Sequence, residues 1–326
     1  MSTLPLLEVD RLRVEFPSRR GTLVALDEVS FSIAPGEVLG VVGESGAGKS
    51  LTGAAIIGLI EPPGRIAGGE IRFNGRRIDN LPHEEMRKLR GRHIGAIFQD
   101  PLTSLNPLYT VGRQLTETIR VHLPVSEAQA RERAISLLRE TGIPAPEQRF
   151  NHYPHQFSGG MRQRVVIALA LAAEPRLVVA DEPTTALDVS VQAQVIALLK
   201  RVCKEHGAAV MLITHDMGVI AETCDRVAVM YAGRVAELGP VQSVIHAPAH
   251  PYTVGLMGAI PAITHDRERL VQIDSAMPRL DAIPTGCAFH TRCPRVMPRC
   301  HVERPGLMPA DTSQAACWLH DRSATG

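Results

Sequence analysis

The chain has 326 residues, of which 44% are hydrophobic, so it can bury one large core and a smaller one, and this composition excludes extensive disorder. Its 35 basic and 34 acidic residues nearly cancel, which argues against a protein that binds nucleic acid through a broad basic field, and no nucleic-acid partner is expected. The longest apolar run, 165–173, is far shorter than the roughly 20 residues that span a bilayer, and the charged N-terminus does not resemble a signal peptide. We therefore expect a cytosolic chain whose six cysteines are thiols or metal ligands.

Apolar periodicity predicts the elements of the first half of the chain. An alternating pattern indicates half-buried antiparallel strands near the N-terminus, and helical periodicity begins beyond residue 99. The predicted elements are strands at 7–16, 23–34, 38–42, 70–73 and 94–98, a helix at about 49–59, and helical structure from 111 to 141.

A second α/β stretch begins near residue 156. It contains predicted buried strands at 177–182 and 208–216, an amphipathic helix at 191–207, and a hairpin at 225–239. The hairpin turn is expected at Ala232 and Gly233. Beyond about residue 246 prolines and cysteines crowd and the periodicity fades, so we predict a domain boundary there, between 1–245 and 246–326.

The stretch GESGAGKS follows the apolar strand 38–42 and has the spacing of a phosphate-binding loop. Its backbone N–H groups are expected to form a nest for phosphate, with the positive end of the next helix pointing at the same place. Lys49 would reach the β- and γ-phosphates, and the Ser50 hydroxyl would ligate Mg²⁺. The residues expected to contact the nucleotide here are Gly43, Glu44, Ser45, Gly46, Ala47, Gly48, Lys49, Ser50 and Leu51.

Two carboxylates end the apolar strand LVVADE at 177–182. Ligands of open parallel sheets bind beyond the carboxyl ends of the strands, so we expect both carboxylates to lie in the ligand-binding site. Asp181 is expected to hold Mg²⁺, directly or through water. Glu182 is expected to polarise the water that attacks the γ-phosphate.

The stretch FSGGMRQR at 157–164 opens a helix with Ser158, Gly159 and Gly160, which predicts a second anion site. One nucleotide needs one phosphate loop, so a second site suggests that another nucleotide is contacted from its far side. With these motifs the sequence resembles the ATP-binding cassette (ABC) ATPases. The resemblance implies two cassettes packed head to tail, with each ATP between the phosphate loop of one and the Ser-Gly-Gly signature of the other.

Further motifs of that family occur in the same order. Gln99 resembles the glutamine that senses Mg²⁺ and the transmembrane partner, and Asp188 resembles the aspartate at the interface of the two cassettes. His215 resembles the switch histidine on the γ-phosphate, and Phe16 lies where the family has an aromatic ring stacked on adenine. The implied fold of 1–245 is an α/β phosphate-loop NTPase cassette, with a RecA-like core, an antiparallel β subdomain and a helical subdomain at about 100–165.

Three further stretches narrow the resemblance: QDPLTSLNP at 99–107, HAPAHPYTVGLMGAIP at 246–261, and the cysteine-rich tail. Together they resemble the ATPase subunits of oligopeptide and dipeptide importers, with nickel and glutathione importers as related alternatives. The resemblance implies an ATPase that is peripheral to the cytoplasmic face of the bacterial inner membrane. Its implied partners are two transmembrane permeases, an extracytoplasmic peptide-binding protein and a second ATPase subunit that is different but related.

A soluble ABC protein of translation or DNA repair is the competing interpretation. Translation types usually carry two cassettes in one chain, and repair types carry a long coiled-coil insertion. This sequence has one phosphate loop and no such insertion, so the importer interpretation is favoured.

The tail carries four cysteines, Cys287, Cys293, Cys300 and Cys317. Four thiolates suit zinc or an iron–sulfur cluster, and the absence of a closely spaced Cys pair favours a cubane cluster over zinc. The family resemblance also points to a 4Fe–4S cluster, expected to staple a segment with little core of its own. Zinc with help from nearby histidines, and free thiols, remain alternatives; these histidines are His290, His301 and His320. Cys203 and Cys224 are expected to be small buried hydrophobes.

Overall fold

The computed structural model describes residues 4–321 apart from 20, 186, 259–272 and 274. The strands are, in chain order, β1 Leu7–Ser18, β2 Gly21–Ile33, β3 Val38–Val42, β4 Arg65–Phe73, β5 Arg76–Arg77, β6 Ile94–Ile97, β7 Leu177–Asp181, β8 Ala209–Ile213, β9 Arg226–Tyr231, β10 Arg234–Pro240, β11 Met308–Ala310 and β12 Ser313–Ala315. The helices are α1 Lys49–Ile56, α2 His83–Leu89, α3 Pro101–Ser104, α4 Val111–His122, α5 Glu127–Glu140, α6 Pro146–Arg149, α7 Gly159–Leu171, α8 Val189–Glu205, α9 Met217–Thr223, α10 Val241–His246, α11 Pro251–Gly258 and α12 Pro298–Val302.

The chain divides into two compact units that interleave along the sequence. The helical unit consists of Met1–Leu6, Ile33–Val38 and Asn80–Ile213. The β-rich unit consists of Leu7–Ser32, Leu39–Asp79 and Thr214–Gly326. Each unit is described separately.

The β-rich unit contains two groups of paired strands. One has the order β2-β1-β4-β5, and β1 pairs with β4 antiparallel. The other has the order β11-β12-β10-β9-β3, in which β3 and β9 are parallel and the remaining pairs are antiparallel. The hairpin of β9 and β10 turns at Ala232 and Gly233, whose φ angles of 47° and 77° suit a tight hairpin turn, as predicted.

Asp27 on β2 is the centre of an arginine cluster in the β-rich unit. Asp27 is 9% exposed, and its carboxylate accepts hydrogen bonds from three guanidinium groups. The donors are Arg13 at 2.8 Å, Arg234 at 2.6 Å and Arg304 at 2.7 Å. Because Arg304 lies beyond α12, this cluster connects the part of the chain after residue 245, called the C-terminal segment below, to β1, β2 and β10.

Glu237 on β10 is a second buried carboxylate, with no exposed surface. It accepts from the backbone N–H groups of Ala249 and His250, each at 2.9 Å, and from the Ser313 hydroxyl at 3.2 Å. A buried carboxylate is tolerated only when hydrogen bonds replace its lost hydration. All three donors come from residues beyond β10.

The helical unit is built on three parallel strands, with β7 between β6 and β8. The predicted helical stretch 111–141 is two helices, α4 and α5. Leu123 is extended, with a ψ of 139°, because the proline that follows disfavours the helical region for it. Ser126 then starts α5 with a capping box. The Ser126 side chain accepts from the backbone N–H of Gln129, and the Gln129 side chain accepts from the backbone N–H of Ser126. Across the described ranges, no helix combines the length and the apolar character that crossing a bilayer requires.

Candidate functional site

The predicted phosphate loop lies between a strand and a helix of the β-rich unit. All five residues of β3 are buried, and α1 begins at Lys49 directly after the loop. Gly48 has a φ of 101°, and a Cβ there would lie 2.6 Å from the Cδ2 atom of Leu26. A Cβ on Gly43 would collide with the carbonyl oxygen of Met230. Both positions therefore require glycine for backbone conformation and for space.

Lys49 folds back onto the loop that precedes it. Its side chain is almost fully buried, and Nζ donates to the carbonyl oxygens of Gly43 at 2.9 Å and Glu44 at 3.1 Å. A buried ammonium over a glycine-rich turn at a helix N-terminus suits a polyphosphate. Ser50 in the first turn of α1 and Ser45 and Gly46 in the loop are exposed. These residues fit the triphosphate that the sequence predicts.

Glu44 in this loop has two partners from the C-terminal segment. Its backbone N–H donates to the hydroxyl of Tyr252 at 2.9 Å, and its carboxylate accepts from Arg292 at 3.0 Å. The side chain of Arg292 is only 3% exposed. The sequence predicts neither contact: Tyr252 lies in HPYT at 250–253, a stretch that indicates the family, and no local pattern points to Arg292.

In the helical unit the structure brings two of the predicted site residues together, Gln99 and the catalytic candidate Glu182. Gln99 follows β6, and its side-chain amide donates to Glu182 Oε2 at 3.1 Å. Thr185 donates its hydroxyl to the same oxygen at 2.7 Å. Glu182 has a φ of 44°, which is unusual for a side chain with a Cβ and is typical of functional positions. Asp181, the last residue of β7, pairs with Ile213 of β8.

The signature residues begin α7. The Ser158 side chain caps this helix by accepting from the N–H of Met161 at 3.4 Å. A Cβ on Gly160 would lie 2.9 Å from Val191 of α8, whereas on Gly159 it would make only ordinary contact with Leu187 at 3.4 Å. Packing against α8 therefore explains Gly160 but leaves Gly159 without a structural requirement.

The remaining predicted residues lie at the ends of elements. Asp188 is exposed and occupies the N-cap position of α8. His215 is exposed in the turn after β8, next to Asp216, which caps α9 by accepting from the N–H groups of Gly218 and Val219. Phe16 on β1 is partly buried, and its ring would contact a Cβ on Gly64 at 2.6 Å. Their roles stay predictions.

Comparison with protein families gives two matches along this chain. The model of the ABC transporter family matches residues 26–185, and that of the oligopeptide/dipeptide transporter C-terminal region matches residues 236–300. The chain is 47% identical to the dipeptide transport ATP-binding protein DppD of Escherichia coli (strain K12), over 96% of both chains. This chain belongs to the ABC transporter family. It is also 48% identical to the oligopeptide transport ATP-binding protein OppD of Salmonella typhimurium, over 92% of this chain and 89% of OppD.

Solved structures of ABC cassettes share the fold. A dimeric structure of the cassette MJ0796, described as a post-hydrolysis state bound to ADP and Pi, superposes with a TM-score of 0.64 and 30% identity. It covers 72% of this chain and 98% of the solved chain. CbiO1 from Clostridium perfringens, part of the transporter complex cbiONQ, gives a TM-score of 0.65 and 31% identity over 74% of this chain and 91% of that one. The predicted α/β cassette fold is therefore confirmed.

The predicted metal centre in the tail of this ABC protein is wrong. Within the described part of the chain, no three or more His, Cys, Asp or Glu side chains are arranged to hold a metal ion. Cys287, Cys293, Cys300 and Cys317 line a cavity of about 10 Å³, which is at most the space of one water molecule. Burial raises the pKa of Cys287 to about 11, which favours the protonated thiol over the thiolate that binds metal. Neither the iron–sulfur cluster nor zinc is supported, and the free-thiol alternative stands.

The two cysteines of the cassette are as predicted. Cys203 and Cys224 are buried, and burial raises the pKa of Cys203 to about 12. A thiol with such a pKa is neutral near pH 7 and packs as a small apolar side chain.

Proposed function

We propose that this protein hydrolyses ATP and thereby powers the import of dipeptides or oligopeptides through an ABC transporter. The observation that carries the proposal is near full-length similarity to DppD and OppD, together with a phosphate loop and a strand-end glutamate of the expected kind. Nickel and glutathione importers are not favoured, because the relatives compared above are named for dipeptide and oligopeptide transport.

The phosphate loop supplies the binding half of the chemistry. Its amides and Lys49 hold the β- and γ-phosphates, and Phe16 stacks on the adenine ring. Ser50, Gln99 and Asp181 are oxygen donors that would hold Mg²⁺, an ion that neutralises charge on the transferring phosphoryl group when bound. Such hard oxygen ligands fit magnesium and not a softer metal.

Glu182 is the proposed general base. Its carboxylate accepts from Gln99 and Thr185, which fixes its orientation. From that orientation it takes a proton from the water that attacks the γ-phosphate. His215 contacts the γ-phosphate and reports whether it is present.

A second cassette completes each ATP site in this proposal. Ser158 and Gly159 of one cassette contact the nucleotide held by the phosphate loop of the other, and Asp188 lies at the interface. The room beside Gly159 supports this role, because among the described residues only Leu187 comes near a Cβ there, at 3.4 Å, and this contact does not require a glycine. The second cassette is a related but different chain.

The other partners are two permeases in the membrane and an extracytoplasmic protein that delivers the peptide. Exposed Phe98 and Leu108 flank the segment after Gln99, where the permease is proposed to dock. The protein would then be peripheral to the cytoplasmic face of the inner membrane.

The proposal is tested with Glu182→Gln in the assembled transporter. We expect ATP binding to stay within a few-fold of wild type while turnover falls by roughly 10²–10⁴, the usual value of general base catalysis. Purified with the second ATPase subunit and without the permeases, the Glu182→Gln variant should accumulate as an ATP-bound pair that elutes as a larger species. Glu205→Gln, at an exposed pair with Arg201 in the same unit, is the matched control and should keep normal turnover. Unimpaired hydrolysis by Glu182→Gln would refute the base assignment.

A further inference from the structure

We propose that Arg292 and Tyr252 are positioning residues of the ATP site. Both residues belong to the C-terminal segment, and both contact Glu44 of the phosphate loop. Tyr252 accepts from its backbone N–H, and Arg292 donates to its carboxylate. This inference rests on the proposed ATP site and goes beyond it, because it assigns a role in nucleotide binding to a segment outside the cassette motifs.

Glu44 is fixed at three points within the β-rich unit. Its N–H donates to the Tyr252 hydroxyl, its carbonyl accepts from Lys49, and its carboxylate accepts from Arg292. Lys49 is the residue that reaches the phosphates. The segment therefore orients the phosphate-binding lysine through one intermediate residue, Glu44.

The two anchors are themselves rigid. Tyr252 is fully buried, and its ring lies 4.7 Å from that of Tyr231 and 5.5 Å from that of Phe289 between centroids. Arg292 also donates to the Tyr231 hydroxyl at 3.3 Å and to the Ser275 carbonyl at 2.9 Å. Such packed aromatic and hydrogen-bonded groups leave little freedom for Glu44 to move.

The same segment also lies over the middle of the loop. A Cβ on Gly46 would be 3.0 Å from the Cε atom of Met277. Met277 and Arg292 thus approach the loop at Gly46 and at Glu44. The contact is not a single chance ion pair.

Charge gives this arrangement a functional consequence. Glu44 places a carboxylate in a loop that is proposed to bind a polyanion, and like charges repel strongly where water is excluded. Arg292, whose side chain is 3% exposed, neutralises the Glu44 carboxylate, whose side chain is 27% exposed and therefore only partly screened by water. Without Arg292 the unpaired Glu44 carboxylate would repel the triphosphate, and this repulsion would increase with the negative charge of the nucleotide.

The test measures nucleotide affinity of the full-length chain by titration with ATP and with ADP. For Arg292→Ala we expect ATP to bind about tenfold more weakly, the effect of roughly 1.4 kcal/mol of repulsion, and ADP to lose less. Arg292→Lys keeps the charge and should recover most of the affinity. Tyr252→Phe removes one hydrogen bond and no charge, so it should weaken both nucleotides by the same small factor.

Two further measurements separate positioning from a general loss of structure. Adding Glu44→Gln to Arg292→Ala removes the unpaired charge and should restore ATP affinity to within about threefold of wild type. High salt should shrink the defect of Arg292→Ala, because screening weakens charge repulsion. Arg279→Ala, at an arginine of the same segment that is 86% exposed, is the control and should bind ATP normally.

The outcomes distinguish this inference from the proposed function. If the wild-type chain binds no ATP, the proposed function fails. If wild type binds ATP and Arg292→Ala binds it equally well, only the positioning role is overturned. The role is also overturned if Arg292→Ala weakens ATP and ADP by the same factor and Glu44→Gln gives no rescue.

Discussion

Replacing Asp27 by asparagine should destabilise the protein substantially. The change removes the negative charge that three guanidinium groups share, from Arg13, Arg234 and Arg304. The bond to Arg234, whose side chain is 24% exposed, should contribute about 2 kcal/mol as a charge-assisted hydrogen bond. The pairs with Arg13 and Arg304 are about 40% exposed on the arginine side, so each is discounted to about 0.5 kcal/mol for solvent screening.

Asparagine still accepts one hydrogen bond, so the expected loss in the free energy of unfolding is about 2–3 kcal/mol. In a domain of this size that loss lowers Tm by roughly 5–10 °C. The assay is thermal unfolding followed by circular dichroism, with Glu28→Gln as the control. Glu28 is the next residue and pairs with Arg234 at 3.3 Å, but its side chain is 60% exposed, so we expect a change below about 0.5 kcal/mol.

The pH dependence supplies an independent check. Burial alone would raise the pKa of Asp27, but the hydrogen bond and charge of Arg234, with Arg13 and Arg304, outweigh it and hold the pKa below its usual value. A depressed carboxyl pKa contributes stability above the unfolded pKa, and this contribution is lost as the pH falls through the folded pKa. The gap between wild type and Asp27→Asn should therefore close below about pH 4. Equal Tm values for Asp27→Asn and Glu28→Gln at neutral pH would refute the reasoning.

Two further changes test the loop and the buried histidine. Gly48→Ala should lower the free energy of unfolding by about 1–3 kcal/mol and weaken ATP binding, because Gly48 has a φ of 101° and a Cβ there would collide with Leu26. Gly207→Ala is the control in the same unfolding assay: Gly207 has a φ of 66° but open space around it, so only the backbone cost is expected. Burial, aided by the charge of His320, lowers the pKa of His250 to about 4 from the usual 6.5. As the pH falls below 6.5, His250 is protonated in the unfolded chain before it is protonated in the folded protein, so stability present above pH 6.5 is lost towards pH 4. The free energy of unfolding, measured by denaturant titration, should fall by about 2 kcal/mol between pH 7 and pH 5. His250→Gln should lose part of this slope while the exposed His246→Gln keeps it, and equal slopes in all three proteins would contradict the assignment.

The phosphate loop and the strand-end acids could be predicted from the sequence because each is a local pattern. Strand, glycine spacing and helix start are adjacent along the chain, and the same holds for β7 and Glu182. The caps of α4, α5 and α7 also follow from residues three positions apart. Backbone propensity and local hydrogen bonding decide these features.

The contacts of Glu44 could not be predicted in this way. Tyr252 and Arg292 lie 208 and 248 residues further along the chain, and no periodicity relates them to the loop. The prediction of a metal site in the cysteine-rich tail was wrong for a related reason. Spacing shows how many thiols a segment brings, but packing decides whether they surround a space large enough for a metal, and here that space holds at most one water.

Glu237 has a practical consequence for anyone who shortens this protein. A truncation after residue 245 would look reasonable from the nucleotide-binding motifs, since all of these precede that point. It would strip the carboxylate of Ala249, His250 and Ser313 at once and expose the open edge of β10 that β12 covers. Such a fragment would expose an unpaired edge strand and leave Glu237 without its three donors, so we expect a minimal cassette cut at that site to be insoluble on expression.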